Sequence, residues 1–164
     1  METLDTGSTK PSVYIETSLV SYLTARPSRD LLVAAHQQLT VAWWDEQRTR
    51  YELFTSQVVL AEVRAGDPDA AQRRLAVLER LPLLDVADTA IALAARLVTA
   101  QALPAQAAQD ALHLAIACVH GMEYLLPWNC THLANARLRS RIEQVCRDAG
   151  YVPPITCTPE ELEG

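Results

Sequence analysis

The sequence is poor in the residues that announce the commoner chemistries. Phenylalanine occurs once and glycine five times in 164 residues. No glycine-rich loop of the kind that cradles phosphates is present, which excludes the usual nucleotide-binding folds. No uninterrupted apolar run reaches the roughly eighteen residues of a membrane-spanning helix, so no membrane association is expected. Met1 to Pro11 is polar and lacks the apolar centre of a secretion signal. Cys118, Cys130, Cys146 and Cys157 are widely spaced with no Cys-x-x-Cys pair; neither a zinc ribbon nor a disulfide framework is suggested. Reduced thiols in the cytoplasm are the expectation. His120 and His132 lie outside any H-E-x-x-H pattern, and Ser18, Ser21 and Ser56 outside any G-x-S-x-G elbow. A zinc hydrolase and an acyl-transfer enzyme therefore gain no support. A net charge of −6 argues against a protein whose whole surface binds nucleic acid, although a local arginine patch can still meet phosphate.

What is present reads as one globular domain. Apolar residues make up 49% of the chain, an ordinary balance for a single core. The expected organisation is a loose tail over 1–11, a domain over 12–158 and a short tail over 159–164. Ser12 to Glu16 reads as a buried strand rich in β-formers. Ser18 can cap a short helix after it, and Ser28 a long amphipathic helix to about Arg48. On that second helix Leu31, Leu32, Ala35, Leu39, Ala42 and Trp43 recur at helical spacing. Further strands are expected at Tyr51 to Thr55, Leu83 to Val86, Glu123 to Leu126 and near Ile155 to Cys157, each separated from the next by helical segments. Strands alternating with helices imply a parallel sheet covered on both faces. In such sheets the site lies outside the carboxyl ends of the strands.

Three acids stand where an acid is costly. Glu16 closes the apolar strand Val13-Tyr14-Ile15. Glu62 lies within Val58-Val59-Leu60-Ala61-Glu62-Val63, and Asp110 opens Ala111-Leu112-His113-Leu114-Ala115-Ile116-Ala117-Cys118-Val119. Each has a bland alternative: a strand-end acid facing solvent, a solvent-facing helix residue, and an acid favoured by the helix dipole. A buried carboxylate otherwise needs a partner, and few basic residues are nearby in sequence. Converging carboxylates without a cation of their own suit Mg²⁺ or Mn²⁺, hard ions that prefer oxygen. All three occupy matching topological positions, at a strand end and on two sheet-flanking helices. His113, one turn past Asp110, reads as a core histidine bonded to backbone.

Four blocks of sequence then align with a known pattern. Val13-Tyr-Ile-Glu-Thr-Ser18, Val59-Leu-Ala-Glu-Val63, Asp110-Ala-Leu-His-Leu-Ala115 and Tyr124-Leu-Leu-Pro-Trp-Asn129 together resemble the blocks of the PIN domain family, over almost the whole chain. The resemblance implies a three-layer α/β/α fold around a mainly parallel sheet of four or five strands. It also implies a ribonuclease site holding one or two divalent ions. Many single-domain proteins of this kind are VapC-type toxins, held inactive by a small antitoxin and commonly dimeric. By position Glu16, Glu62 and Asp110 match the three acids that carry the metal, and Ser18 the small polar residue supporting the first. Asn129 stands at a fourth, usually acidic, catalytic position. Three departures are visible: Glu16 where the family usually has Asp, Asn129 for an acid, and Pro127 where Thr is frequent.

The implied reaction is metal-assisted hydrolysis of RNA phosphodiesters, with Arg26 and Arg29 as candidates to contact the RNA backbone. The rival is a PIN fold that has lost catalysis and acts through protein or RNA contacts. Trp43 and Trp44 point about 100° apart on one helix, so one of them is expected to reach beyond the core and support a homodimer.

Overall fold

The computed structural model describes residues 10–128, 132–133 and 135–163. Asn129 and Cys130 lie outside the described residues, as does all of the expected N-terminal tail before Lys10. Strand β1 (Ser12–Ile15) leads through Glu16 into helix α1 (Thr17–Thr24), and α2 (Leu31–Glu46) follows. Next come β2 (Glu52–Ser56), α3 (Gln57–Val63), α4 (Pro68–Leu78) and β3 (Leu83–Leu84). The second half holds α5 (Asp88–Thr99), α6 (Ala108–Val119), β4 (Tyr124–Leu126), α7 (Ala136–Asp148) and β5 (Ile155–Thr156).

All strand pairings among the described residues are parallel, and the sheet order is β3-β2-β1-β4-β5. Helices α1 to α4 pack among themselves, and α5 packs on α6 and α7. This is the three-layer α/β/α arrangement expected from the alternation of strands and helices. Strand β1 is central and wholly apolar inside, with Val13, Tyr14 and Ile15 fully buried. The chain builds outward from β1 to β2 and β3, then crosses to β4 on the other side. Order therefore reverses beside β1, the position where open α/β sheets bind ligands.

Local signals explain most boundaries. Ser56, Asp67 and Asn135 each cap a helix through a side-chain oxygen. Gly66 follows α3 with φ of 87°, a left-handed turn that suits glycine. Two capping assignments move. Glu16, not Ser18, caps α1, and Asp30, not Ser28, caps α2.

Helix α2 turns most of its expected apolar stripe outward, Trp43 excepted. Leu31 is 88% and Leu32 67% exposed, and Ala35 and Ala42 are exposed too, whereas Gln37, Thr40 and Trp43 are buried. Partners decide this orientation. Gln37 holds the preceding loop through the Arg26 carbonyl (3.0 Å) and the Ser28 N–H (2.9 Å). Thr40 accepts from the Trp128 indole N–H, and His36 stacks on that indole at 4.2 Å. Trp43 faces inward and donates to the Leu162 carbonyl (2.8 Å), so the segment expected as a C-terminal tail is docked, with Leu162 buried. Trp44 is the indole that is partly exposed, with the Arg48 guanidinium 5.1 Å from its ring centre.

Candidate active site

Because β1, β2 and β4 run parallel, their carboxyl ends share one edge. Glu16 follows β1 there, Ser56 ends β2, and Trp128 lies two residues beyond β4. Helix α6 returns antiparallel to the strand that follows it, so its first turn, with Asp110, sits at the same edge.

Glu16 is 4% exposed. Its Oε2 accepts the Ser18 N–H at 2.8 Å and the Ser18 hydroxyl as well. Ser18 Oγ in turn accepts the Trp128 N–H at 2.8 Å, tying the end of β4 to the first acid. Burial pushes the Glu16 carboxyl above its ordinary range; His113 and the Ser18 bonds pull it down, and the charge of Glu62 pushes it up again. Glu16 and Glu62 thus feel each other's charge.

Glu62 is 27% exposed and bonds through Oε1 to His113 Nε2. His113 is 1% exposed, a core histidine as expected, but its partners are side chains and not backbone. Its Nδ1 lies 2.8 Å from the Tyr14 hydroxyl, which lies 2.7 Å from Ser56 Oγ. Burial pushes the Tyr14 hydroxyl up, out of reach of ionisation at any ordinary pH. Asp110, three residues before His113 on the same helical face, bonds through Oδ2 to His132 Nδ1 at 2.9 Å. Asp110 is 16% and His132 23% exposed.

Glu16 Oε1 and Glu62 Oε2 make no hydrogen bond among the described residues. Their chemistry fits a hard divalent ion, which takes one or two carboxylates and completes its shell with water and substrate oxygens. A full cage is not gathered: among the described residues no group of three or more His, Cys, Asp or Glu could hold a metal ion. Asn129 lies outside the described residues. Arg26 and Arg29 are exposed on the α1–α2 loop that Gln37 pins, about 12 Å from Glu16 along α1 at 1.5 Å per residue.

The histidine partners were missed by sequence reading. His132 carried no motif, and the one available signal for His113 was its position one turn from Asp110 in an otherwise apolar helix. The free thiols Cys118, Cys146 and Cys157 are buried, and burial pushes Cys157 up to about 12. No helix among the described residues is long and apolar enough to cross a membrane.

No protein-family model matches the chain, and no curated protein matches it. Solved structures do. The chain superposes on Mycobacterium tuberculosis VapC20, described as a sarcin-ricin loop cleaving toxin. The TM-score is 0.59 and the identity 17%, over 76% of this chain and 95% of that one. It superposes also on VapBC2 from Rickettsia felis, solved with a DNA fragment from their promoter. There the TM-score is 0.58 and the identity 15%, over 90% of this chain and 98% of that one. Likeness at this level is one of fold, and the fold is the PIN-like arrangement of VapC proteins.

Proposed function

We propose that this PIN-fold chain is a divalent-metal-dependent ribonuclease, the toxin of a toxin–antitoxin pair. The observation that carries the reading is Glu16. A carboxylate 4% exposed at the carboxyl end of the central strand, facing a second carboxylate, is unfavourable in an ion-free molecule. An ion with oxygen preference relieves both. The similarity in fold to a toxin described as cleaving the sarcin-ricin loop supports RNA as the substrate class.

In this reading Glu16, Glu62 and Asp110 would hold Mg²⁺ or Mn²⁺, and Asn129, which lies outside the described residues, is proposed as an uncharged oxygen donor. A bound ion would supply Lewis acidity toward the phosphate and lower the pKa of a bound water. The chain's own groups do the rest. Ser18 fixes Glu16 by donating twice to one oxygen, which leaves the other for the ion. The Trp128 N–H bond to Ser18 ties the end of β4 to the serine that holds the first acid. Arg26 and Arg29, on a pinned loop, meet the RNA backbone at a distance and set its direction across the site.

A protein partner follows from α2. Its outward side exposes Leu31 and Leu32, beside an apolar groove of about 360 Å³ between α1 and α2. An antitoxin segment or a second copy of the chain covers such surface. Trp43 faces the core, so Trp44 with Arg48 is the part of the tryptophan pair open to a homodimer.

Purified protein incubated with single-stranded and hairpin RNA should cut in Mg²⁺ or Mn²⁺ and stop on chelation. Mn²⁺ alone should raise its melting temperature. Absence of both effects would overturn the nuclease reading. It would leave the fold as a binding module, for which Asn129 in an acid's place and the incomplete ion cage already speak.

A further inference from the structure

Behind Glu62 runs a line of polar groups that the reaction does not touch. Ser56 and Tyr14 are fully buried and His113 is 1% exposed, in a region otherwise packed with Val, Leu and Ala. Together with the Val59 N–H they form a continuous chain: Val59 N to Ser56 Oγ (3.4 Å), Ser56 to Tyr14 (2.7 Å), Tyr14 to His113 Nδ1 (2.8 Å), and His113 Nε2 to Glu62. The chain draws on β1, β2, α6 and α3, and closes on itself, since Val59 and Glu62 both belong to α3.

One arrangement of protons satisfies every member. Ser56 Oγ accepts from the Val59 N–H, so the serine proton goes to Tyr14. Tyr14 then donates to His113 Nδ1, and the ring proton is left on Nε2, aimed at Glu62 Oε1. Reversing the chain would put a proton on Nδ1 and leave the Ser56 hydroxyl proton with no acceptor in an apolar interior, an expensive defect. The buried residues therefore select the tautomer of His113, and the tautomer selects the oxygen of Glu62 that is engaged.

Resting on the nuclease reading above, we infer that His113 is a positioning residue for Glu62, set by Tyr14 and Ser56. Glutamate has three rotatable side-chain bonds, and Glu62 lies on a short helix partly open to water. Unrestrained, its carboxylate would sample several rotamers and meet an ion in few of them. The His113 N–H fixes one oxygen and leaves the other, Oε2, without a hydrogen bond among the described residues. Hydrogen bonds made to a ligating carboxylate from behind commonly govern metal affinity by about 10- to 100-fold.

Two near-isosteric variants separate this role from simple packing. His113→Gln places an N–H donor where Nε2 stands and loses the acceptor for Tyr14. His113→Asn places an acceptor where Nδ1 stands and loses the donor to Glu62. Each variant gives up one bond of the chain, so their losses of thermal stability should be similar. Their Mn²⁺ affinities, measured by titration calorimetry on the whole protein, should differ. His113→Gln should stay within about threefold of the parent, and His113→Asn should weaken by about 10-fold or more. RNA cleavage at subsaturating ion should fall in the same order and recover for His113→Asn as Mn²⁺ is raised. Equal weakening of both variants in proportion to lost stability, or no weakening of His113→Asn, would overturn the inference. A readout independent of any ion completes the test. Long-range ¹H–¹⁵N spectra of the imidazole should show His113 protonated on Nε2 with Nδ1 bare, and Tyr14→Phe should disturb that state. A ring protonated on Nδ1 would sink the inference even for an active nuclease. A parent protein that shows the expected ring but neither binds Mn²⁺ nor cuts RNA would overturn the nuclease reading and, with it, this role of the ring.

Discussion

Helix α6 contributes to two carboxylate–histidine pairs that differ in what stands behind them. In the inner pair α6 supplies the imidazole, His113, 1% exposed and backed by Tyr14 and Ser56. In the outer pair it supplies the carboxylate, Asp110, whose partner His132 is 23% exposed and lines a cleft of about 590 Å³ with Gln101, Leu103 and Pro104. The inner pair is held by the core, and the outer one reaches a solvent-open cleft through His132. One helical face thus combines a fixed post with an accessible one. Rigidity comes from buried neighbours that each have a partner, and access comes from leaving one side of the pair to solvent.

The difference can be broken from either side. Asp110→Asn should produce the largest effect, a fall in RNA cleavage on the order of 1000-fold, because the proposed ion site loses a charged ligand. Apo stability should change by less than about 1 kcal/mol, since the Asp110–His132 contact is partly open to solvent. Single-turnover cleavage and melting of the ion-free protein check both halves. A stability loss that accounts for the lost activity would make Asp110 structural.

Ile116, three residues past His113 on α6, is fully buried in the core. Ile116→Ala should destabilise by about 2–5 kcal/mol in urea unfolding, while Leu31→Ala on the exposed side of α2 should stay within about 0.5 kcal/mol. Similar losses for the two would mean that α2 buries its leucines in solution.

Glu16 sharpens the contrast through pH. Its carboxyl is raised above the ordinary value of 4.5, chiefly by burial. The folded state then binds a proton more tightly than the unfolded state does. That stabilisation is complete below the unfolded value and is lost as pH rises through the folded one. Glu16→Gln should therefore be the more stable protein at neutral pH without divalent ions, the gap closing as pH falls toward about 4.5. A gap that widened in acid would refute the assignment.

A smaller gain belongs to the outer rim. Gln101 has φ of 59°, and Gln101→Gly should stabilise by about 1 kcal/mol by removing left-handed strain. Thermal melts resolve such a shift. No gain would mean that the glutamine side chain makes up the difference in the cleft.

Much of this was legible in the sequence because acids interrupt apolar runs. Glu16, Glu62 and Asp110 could be picked out for that reason, and alternating strands and helices gave the layers of the sheet. Their histidine partners could not be read, since His113 lies 51 residues from Glu62 and His132 lies 22 from Asp110. Tyr14 looked like an ordinary strand residue, because a buried hydroxyl declares itself only when its acceptor is known. Helix α2 misled for a related reason. Its apolar residues suggested an inward stripe, yet Gln37 and Thr40 had specific partners in distant segments, and these outweighed Leu31 and Leu32.

The sheet order also has a consequence for the timing of synthesis. Central strand β1 is made first, but its neighbour β4 begins only at Tyr124, and the β1–β4 edge is closed by the Glu123 N–H donating to Ser12 Oγ at 3.0 Å. A growing chain that has reached residue 100 already carries Glu16 and Glu62, yet it has neither the strand that flanks Glu16 on the far side nor the helix that brings Asp110 and His113. Until then Ser18 has no Trp128 N–H to accept and Glu62 has no imidazole to lean on. The hydrogen-bonded constellation around Glu16 and Glu62 therefore assembles late, with the last third of translation.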